Sequence, residues 1–306
     1  MYPLKFVPLY KDRIWGGNNL AKIFGRELPG KQIGESWELS GHKHGTSIVA
    51  NGRLAGKTLN ELMTEYKEQL MGNGFAGGSH FPFVAKVIDA HENLSVQVHP
   101  GDKYACRVEG ETGKTEAWYV IHAKAGAQIV YGLKKEITKE AFIKAVADKS
   151  LENTLQTVPV TAGDMVLIPA GTIHALLGGI MVYEVQQNSD TTYRVYDYER
   201  VGEDGKQREL HMEKALEVID FRQQLHCNFK ENHIRCSYFS MEKLAIQGEK
   251  METTQGKCIV YAVTAGRGDI VYTGASEALG AGETILVPAC MGEFRIRGNL
   301  ELLKIT

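Results

Sequence analysis

The chain has 306 residues, 43% of them hydrophobic and 24% charged, with a formal net charge of −2. That is enough apolar material for one large core or two ordinary ones, and too much for a disordered chain. The near-neutral balance excludes an electrostatic case for nucleic acid or an anionic membrane surface, and leaves a small molecule or another protein as the partner.

The N-terminal stretch MYPLKFVPLYKDRIWGG lacks the continuous apolar h-region of a signal peptide. Thr58-Leu59-Asn60-Glu61 forms a capping box, and Leu59, Leu62, Met63, Tyr66 and Leu70 recur at helical spacing, so a helix is predicted over about 58–71. Short runs rich in Val, Ile and Tyr follow: FVAKVID, LSVQVHP, AWYVIHA and AQIVYG read as strands. A second helix is predicted over about 138–149, with Phe142, Ala145 and Val146 on one side. DMVLIPA and IMVYEVQ return to the strand pattern, and proline, glycines and His174 interrupt the apolar region they share, which argues against a membrane span. A third helix over about 211–220 carries Ala215, Leu216 and Ile219. CIVYAVT, DIVYTG, TILVPA, FRIRG and ELLKIT then read as five more short strands. Strands this short at this spacing predict a β-sandwich, jelly roll or barrel. Five scattered cysteines without a C-x-x-C pair favour reduced thiols and a cytoplasmic location.

A faint internal repeat organises the chain. Gly163-(x)5-Pro169 and Gly282-(x)5-Pro288 each enclose a hydrophobic strand, and AGAQIVYG is similar in texture to GRGDIVYTG. Two related β-units are predicted, 1–235 enlarged by the helices and 236–306 smaller, with the boundary in the polar run RQQLHCNFKENH.

In SVQVHP, residues two apart share a face, so Ser95, Gln97 and His99 project together and Val96 and Val98 oppositely. The valines are expected to pack between the sheets. Taken alone, the polar face would simply meet water. However, Pro169-Ala-Gly171-Thr-Ile-His174 sets a second histidine just past a tight turn, and Glu116 leads directly into an apolar strand, where a carboxylate is costly to desolvate without a cation. Gln97, His99, Glu116 and His174 can together supply two imidazole nitrogens and two oxygens to a divalent metal. Such a set suits Zn2+ and is open to Fe2+, Mn2+ or Co2+. His42 and His44 in SGHKHG are left out of this set.

G-(x)5-P-x-G-(x)2-H resembles the second motif of the cupin superfamily, and Gln97-Val98-His99 followed by Glu116 resembles the first. The Q-x-H form with K-x-E beyond it is similar to type I phosphomannose isomerases of the short bacterial form. The likeness runs from Trp15-Gly16-Gly17 and Gly34-Glu35-Ser36-Trp37 through GKTEAWYV and AGTIHAL to QQNSDTTYRVYDYER. The resemblance implies a mainly β fold of two cupin-type jelly-roll barrels and reversible conversion of mannose 6-phosphate to fructose 6-phosphate. It also implies one zinc ion per chain on Gln97, His99, Glu116 and His174. It makes Arg194 and Lys114 catalytic and places Ser95, Lys86, Trp15, Glu35, Glu184 and Asp190 in the substrate pocket. The glycine-rich 71-to-78 loop and the low helical content depart from the long eukaryotic form. Aligning the repeat puts Glu293 where His174 stands, so the metal is expected in the first unit alone. A non-catalytic metal- and sugar-binding cupin protein and a cupin dioxygenase are the rival readings; Arg194 and Lys114 beside the metal set favour the isomerase. Oligomeric state is left open.

Overall fold

The computed structural model describes residues 1–306 apart from 74, 76, 77, 79, 203, 204 and 224, so part of the glycine-rich 71-to-78 loop lies outside the described residues. Three antiparallel β layers organise the chain. A six-stranded sheet runs in the order Met165–Ile168, Glu116–Ala123, Ile180–Gln187, Phe83–Ala90, Ile33–Leu39, Leu9–Gly17. On one face it meets a five-stranded sheet ordered Leu155–Pro159, Gln128–Leu133, His174–Leu176, Val96–Val98, Tyr193–Tyr196. On the other it packs against a sheet built mainly from the last seventy residues.

The middle sheet is buried on both sides, which is why Phe83–Ala90 and Ile180–Gln187 have no exposed position. Phe83, Ala85, Val87, Ala117, Tyr119, Tyr183 and Val185 share a core with Val260, Leu286 and Leu303 of the C-terminal sheet. The alternate residues Ile88, Trp118, Val120 and Val182 share a second core with Ile129, Tyr131 and Leu176 of the five-stranded sheet. Lys86, Glu116 and Glu184 fall on that second face.

The mainly β cupin fold is thus present, but as a sandwich. No hydrogen-bonded ladder among the described residues closes the five- and six-stranded sheets into the expected barrel. Val96 and Val98 also differ from expectation. They do not lie between the sheets but pack outward with Phe142 and Ala215 under the helices Lys139–Ala147 and Met212–Val218. Those helices make the outer face of the sheet as apolar as an inner one, which frees the inner face for polar side chains.

The helix expected over 58–71 is two, Leu59–Glu65 and Lys67–Met71, because Tyr66 leaves helical geometry at φ −130°, ψ 24°. Its capping box is formed: Thr58 Oγ1 accepts from Glu61 N at 3.2 Å, and Glu61 Oε2 accepts from Thr58 N at 2.7 Å. Asn19–Phe24 and Asp102–Val108 are further helices, too short to display a period in the sequence.

In the C-terminal unit CIVYAVT and DIVYTG are one strand, Ile259–Tyr272, while FRIRG and ELLKIT join as Glu293–Ile305. Glycines read as turns are here bends within strands. A Cβ on Gly266 would overlap the Asn299 carbonyl, so only glycine permits the close crossing. The first strand of the chain, Leu4–Val7, joins this C-terminal sheet by pairing with Thr284–Val287.

Candidate metal centre

Gln97 is the middle residue of Val96–Val98, with His174 opposite it on one neighbouring strand and Arg194 opposite it on the other. His99 follows one residue past the strand end. Glu116 arrives from the facing sheet, where it begins Glu116–Ala123 and pairs with Ile168 and Gln186. His174 Nε2 lies 3.3 Å from Glu116 Oε1, and His99 Nε2 lies 3.3 Å from Glu116 Oε2. Gln97 Nε2 is 3.2 Å from His174 Nε2 and 3.5 Å from His99 Nε2. The structure therefore brings together all four residues singled out as ligands.

Both imidazoles are oriented from behind. His99 Nδ1 faces the Thr191 carbonyl at 2.9 Å and His174 Nδ1 faces that of Thr172 at 2.9 Å. A carbonyl accepts only, so each Nδ1 carries a proton and each Nε2 is the ring nitrogen that faces the centre. The Gln97 amide sits with Nε2 inward; a half turn exchanges it for Oε1 without changing its shape.

Glu116 is fully buried, and neither carboxylate oxygen has a hydrogen-bond partner. Its contacts are ion-pair distances without hydrogen-bond alignment, the shortest being 3.1 Å to Lys114 Nζ. Burial opposes its ionisation, yet the Lys114 ammonium beside it holds it well below the ordinary carboxylate range. Burial foremost, then Lys114, lowers His99 to about 3 and keeps it neutral. Two imidazole Nε2 atoms and a buried carboxylate without a hydrogen-bond partner are a donor set that fits a divalent cation. Lys114 Nζ, 3.0 Å from His99 Nε2, completes the cluster.

The other singled-out residues surround this group unequally. Ser95 Oγ donates to Gln97 Oε1 at 3.4 Å. Lys86 stands opposite Glu184 in the sheet, pairs with its Oε1 at 3.1 Å, and lies over the Trp37 ring. Trp118 Nε1 donates to Glu184 Oε2 at 2.8 Å, so this core residue also touches the site. Burial, then the charge of Glu116, pushes Glu184 up against the pull of Lys86. Trp15 lies in the hydrophobic core at 3% exposure. Arg194 Nε is buried without a hydrogen-bond partner. The cations stacked on nearby tyrosines are Lys214 over Tyr193 and Arg200 over Tyr198.

Glu35 accepts from Trp37 Nε1 and Arg13 Nε, each at 2.8 Å. Burial would raise its carboxyl, but Lys86 and Arg13 hold it at about 2 against an ordinary 4.5. Because the folded value lies below the unfolded one, Glu35 stabilises the fold fully above pH 4.5 and loses that contribution as pH falls toward 2. The contribution is on the order of 3 kcal/mol. The urea midpoint of Glu35→Gln should therefore lie below that of the parent at neutral pH and converge with it across this window. A constant difference would contradict the assignment.

His42, His44 and Asp190 form a second group of metal-type side chains at the rim. His42 Nδ1 accepts from His44 N at 3.2 Å, which leaves the proton on Nε2, and His44 Nδ1 is engaged by Asp190 Oδ2 at 2.9 Å. Both Nδ1 atoms are thus already engaged within the protein.

The orienting carbonyls of Thr172 and Thr191 escaped sequence reasoning, since a backbone acceptor has no residue-type signature. Arg13, which donates to Glu35, was also missed, its only signal being that it stands two residues before Trp15-Gly16-Gly17; Trp37 stood within a singled-out motif without an assigned role. No helix among the described residues is long and apolar enough to cross a membrane.

The fold and the cluster together define a cupin-type protein with a buried site suited to a metal ion. A family model for the catalytic domain of type I phosphomannose isomerase matches residues 3–109, and one for the cupin domain of mannose-6-phosphate isomerase matches 230–306. The chain belongs to the type I phosphomannose isomerase family and is an isomerase. It is 40% identical over 313 residues to a probable mannose-6-phosphate isomerase of Bacillus subtilis, covering 99% of this chain and 98% of that protein. A mannose-6-phosphate isomerase of Streptococcus mutans is 40% identical over 311 residues, covering 98% and 97% respectively. The crystal structure of mannose 6-phosphate isomerase from Bacillus subtilis superposes over 100% of both chains with a TM-score of 0.93 at 36% identity.

Proposed function

We propose that this isomerase interconverts mannose 6-phosphate and fructose 6-phosphate through a cis-enediol, with one zinc ion held by Gln97, His99, Glu116 and His174. The observation that carries the reading is the buried Glu116 carboxylate, without a hydrogen-bond partner, facing two imidazole Nε2 atoms at 3.3 Å. The separations of 3.3 Å between each histidine Nε2 and the Glu116 carboxylate suit a small divalent ion such as zinc. A tetrahedron with bonds of about 2.05 Å has edges of roughly 3.4 Å. When bound, the ion supplies Lewis-acid polarisation of the sugar oxygens.

The chain's own groups account for the rest. Moving a proton between C1 and C2 develops negative charge on an oxygen, which a fixed cation stabilises. Arg194 has a partly buried guanidinium whose pKa burial, then Arg208, lowers from the usual value. It stays charged all the same, since an arginine cannot be deprotonated in a protein, and its Nε lacks a protein partner. We assign it to the enediolate. Lys114 is assigned to proton movement between the sugar oxygens, with its Nζ beside His99 and Glu116. Ser95, Lys86, Glu35, Glu184 and Asp190 are assigned to the sugar phosphate, with Trp15 as the wall behind them. Division of the chain into a catalytic unit, 1–235, and a ligand-free unit, 236–306, and a cytoplasmic location belong to the same proposal.

A coupled assay of mannose 6-phosphate turnover, before and after chelation and Zn2+ return, tests the reading. Chelation should remove activity by at least about 100-fold and Zn2+ should restore it. Turnover that survives complete metal removal would overturn the metal role. A folded, zinc-loaded protein without turnover would indicate the non-catalytic sugar-binding protein instead.

A further inference from the structure

We infer that Asp102 is a positioning residue for the centre and that Tyr238, reaching over from the C-terminal unit, braces it. The inference rests on the reading of His99, Lys114 and Glu116 as active groups. These three come from two chain segments, residues 99–102 and 113–116, and their mutual distances depend on how those segments are tied.

Asp102 is the tie. Its Oδ1 accepts from Gly113 N at 2.8 Å and from Gln187 Nε2 at 2.9 Å. Gln187 Oε1 in turn accepts from Thr115 N at 2.8 Å, and Gln187 N donates to the Thr115 carbonyl at 3.1 Å. Lys114 N donates to the Pro100 carbonyl at 3.0 Å. The backbone N–H groups of residues 113, 114 and 115 are thus all held by Asp102, by its partner Gln187, or by Pro100 next to His99. The segments touch so closely that a Cβ on Gly113 would run into the Asp102 backbone. The remaining oxygen, Asp102 Oδ2, accepts from Tyr238 Oη at 2.6 Å. Tyr238 lies between the strands His233–Arg235 and Ser240–Thr253. The unit for which no metal ligands were expected thereby contacts the segment that carries His99, and through Asp102 the tie to Lys114 and Glu116.

Asp102 touches neither the ligand cluster nor the proposed substrate residues, so its effect must pass through geometry. A misplacement of about 1 Å costs on the order of 100-fold in rate. Asp102→Ala is therefore expected to lower kcat per bound metal by about 10- to 100-fold, with KM within about twofold. It should also speed metal loss to a chelator by about 10-fold, as removal of an outer partner does. Asp102→Asn keeps the Oδ1 acceptor and should return kcat to within about threefold of the parent. Tyr238→Phe should speed metal loss by about two- to fivefold, consistent with losing one exposed hydrogen bond. A merely structural role would lower the unfolding midpoint and the folded fraction and leave kcat per bound metal unchanged; that result, or Asp102→Asn as impaired as Asp102→Ala, overturns the inference. Should Asp102→Ala not fold, Tyr238→Phe decides, and metal loss at the parental rate overturns the brace. Absence of turnover in the parent enzyme would instead overturn the functional reading itself, leaving the metal-loss arms to judge Asp102.

Discussion

Glu116→Gln is expected to leave the purified protein without bound metal and to lower kcat by about 1,000-fold or more, beyond the 10- to 100-fold typical of losing an outer partner. The substitution keeps the side-chain shape and removes its charge. What remains is the Lys114 ammonium against a neutral amide and two inward-facing Nε2 atoms, with no anion to balance a dication. Because Glu116 is wholly buried, water cannot replace the lost charge. Metal stoichiometry measured beside the coupled assay, with circular dichroism to verify the fold, decides the matter. Stoichiometric metal with near-normal turnover would show that Glu116 is a structural carboxylate.

Arg194→Ala is expected to lower kcat by about 100- to 1,000-fold, the loss typical of one preorganised oxyanion partner, while metal content stays at the parental level. The strand bearing it should hold its register. Its ladder to Gln97 is made by the backbone, and its outward residues Tyr193 and Val195 remain in their core. Arg194→Lys should recover only part of the loss, because an ammonium lacks the planar fork of donors. Normal kcat in Arg194→Ala, or metal lost along with activity, would remove Arg194 from the chemistry and return it to packing.

Most strand positions are legible in the sequence because period-two alternation and glycine punctuation survive where one face differs from the other. The alternation in SVQVHP is a good example: Gln97 and His99 do share a face, and Val96 and Val98 do oppose them. What failed was the choice of face. Both sides of that strand are covered, and alternation cannot say which cover is the facing sheet and which the helices Lys139–Ala147 and Met212–Val218. Likewise Gly266 and Gly298 look like turns, yet they bend continuous strands, since local sequence does not encode how tightly two distant strands cross.

The candidate centre divides the same way. Residue types and spacing alone were enough to single out Gln97, His99, Glu116 and His174, because an ionisable group leading into an apolar strand is rare and chemically conspicuous. Tertiary structure decided that they converge, with Glu116 crossing from one sheet to meet two histidines on the other. It decided that Thr172 and Thr191 orient the imidazoles, that Trp15 lies in the core, and that Tyr238 reaches Asp102. Those facts depend on backbone atoms and on contacts between residues far apart in the chain. Only packing of the layers brings such groups within hydrogen-bond range.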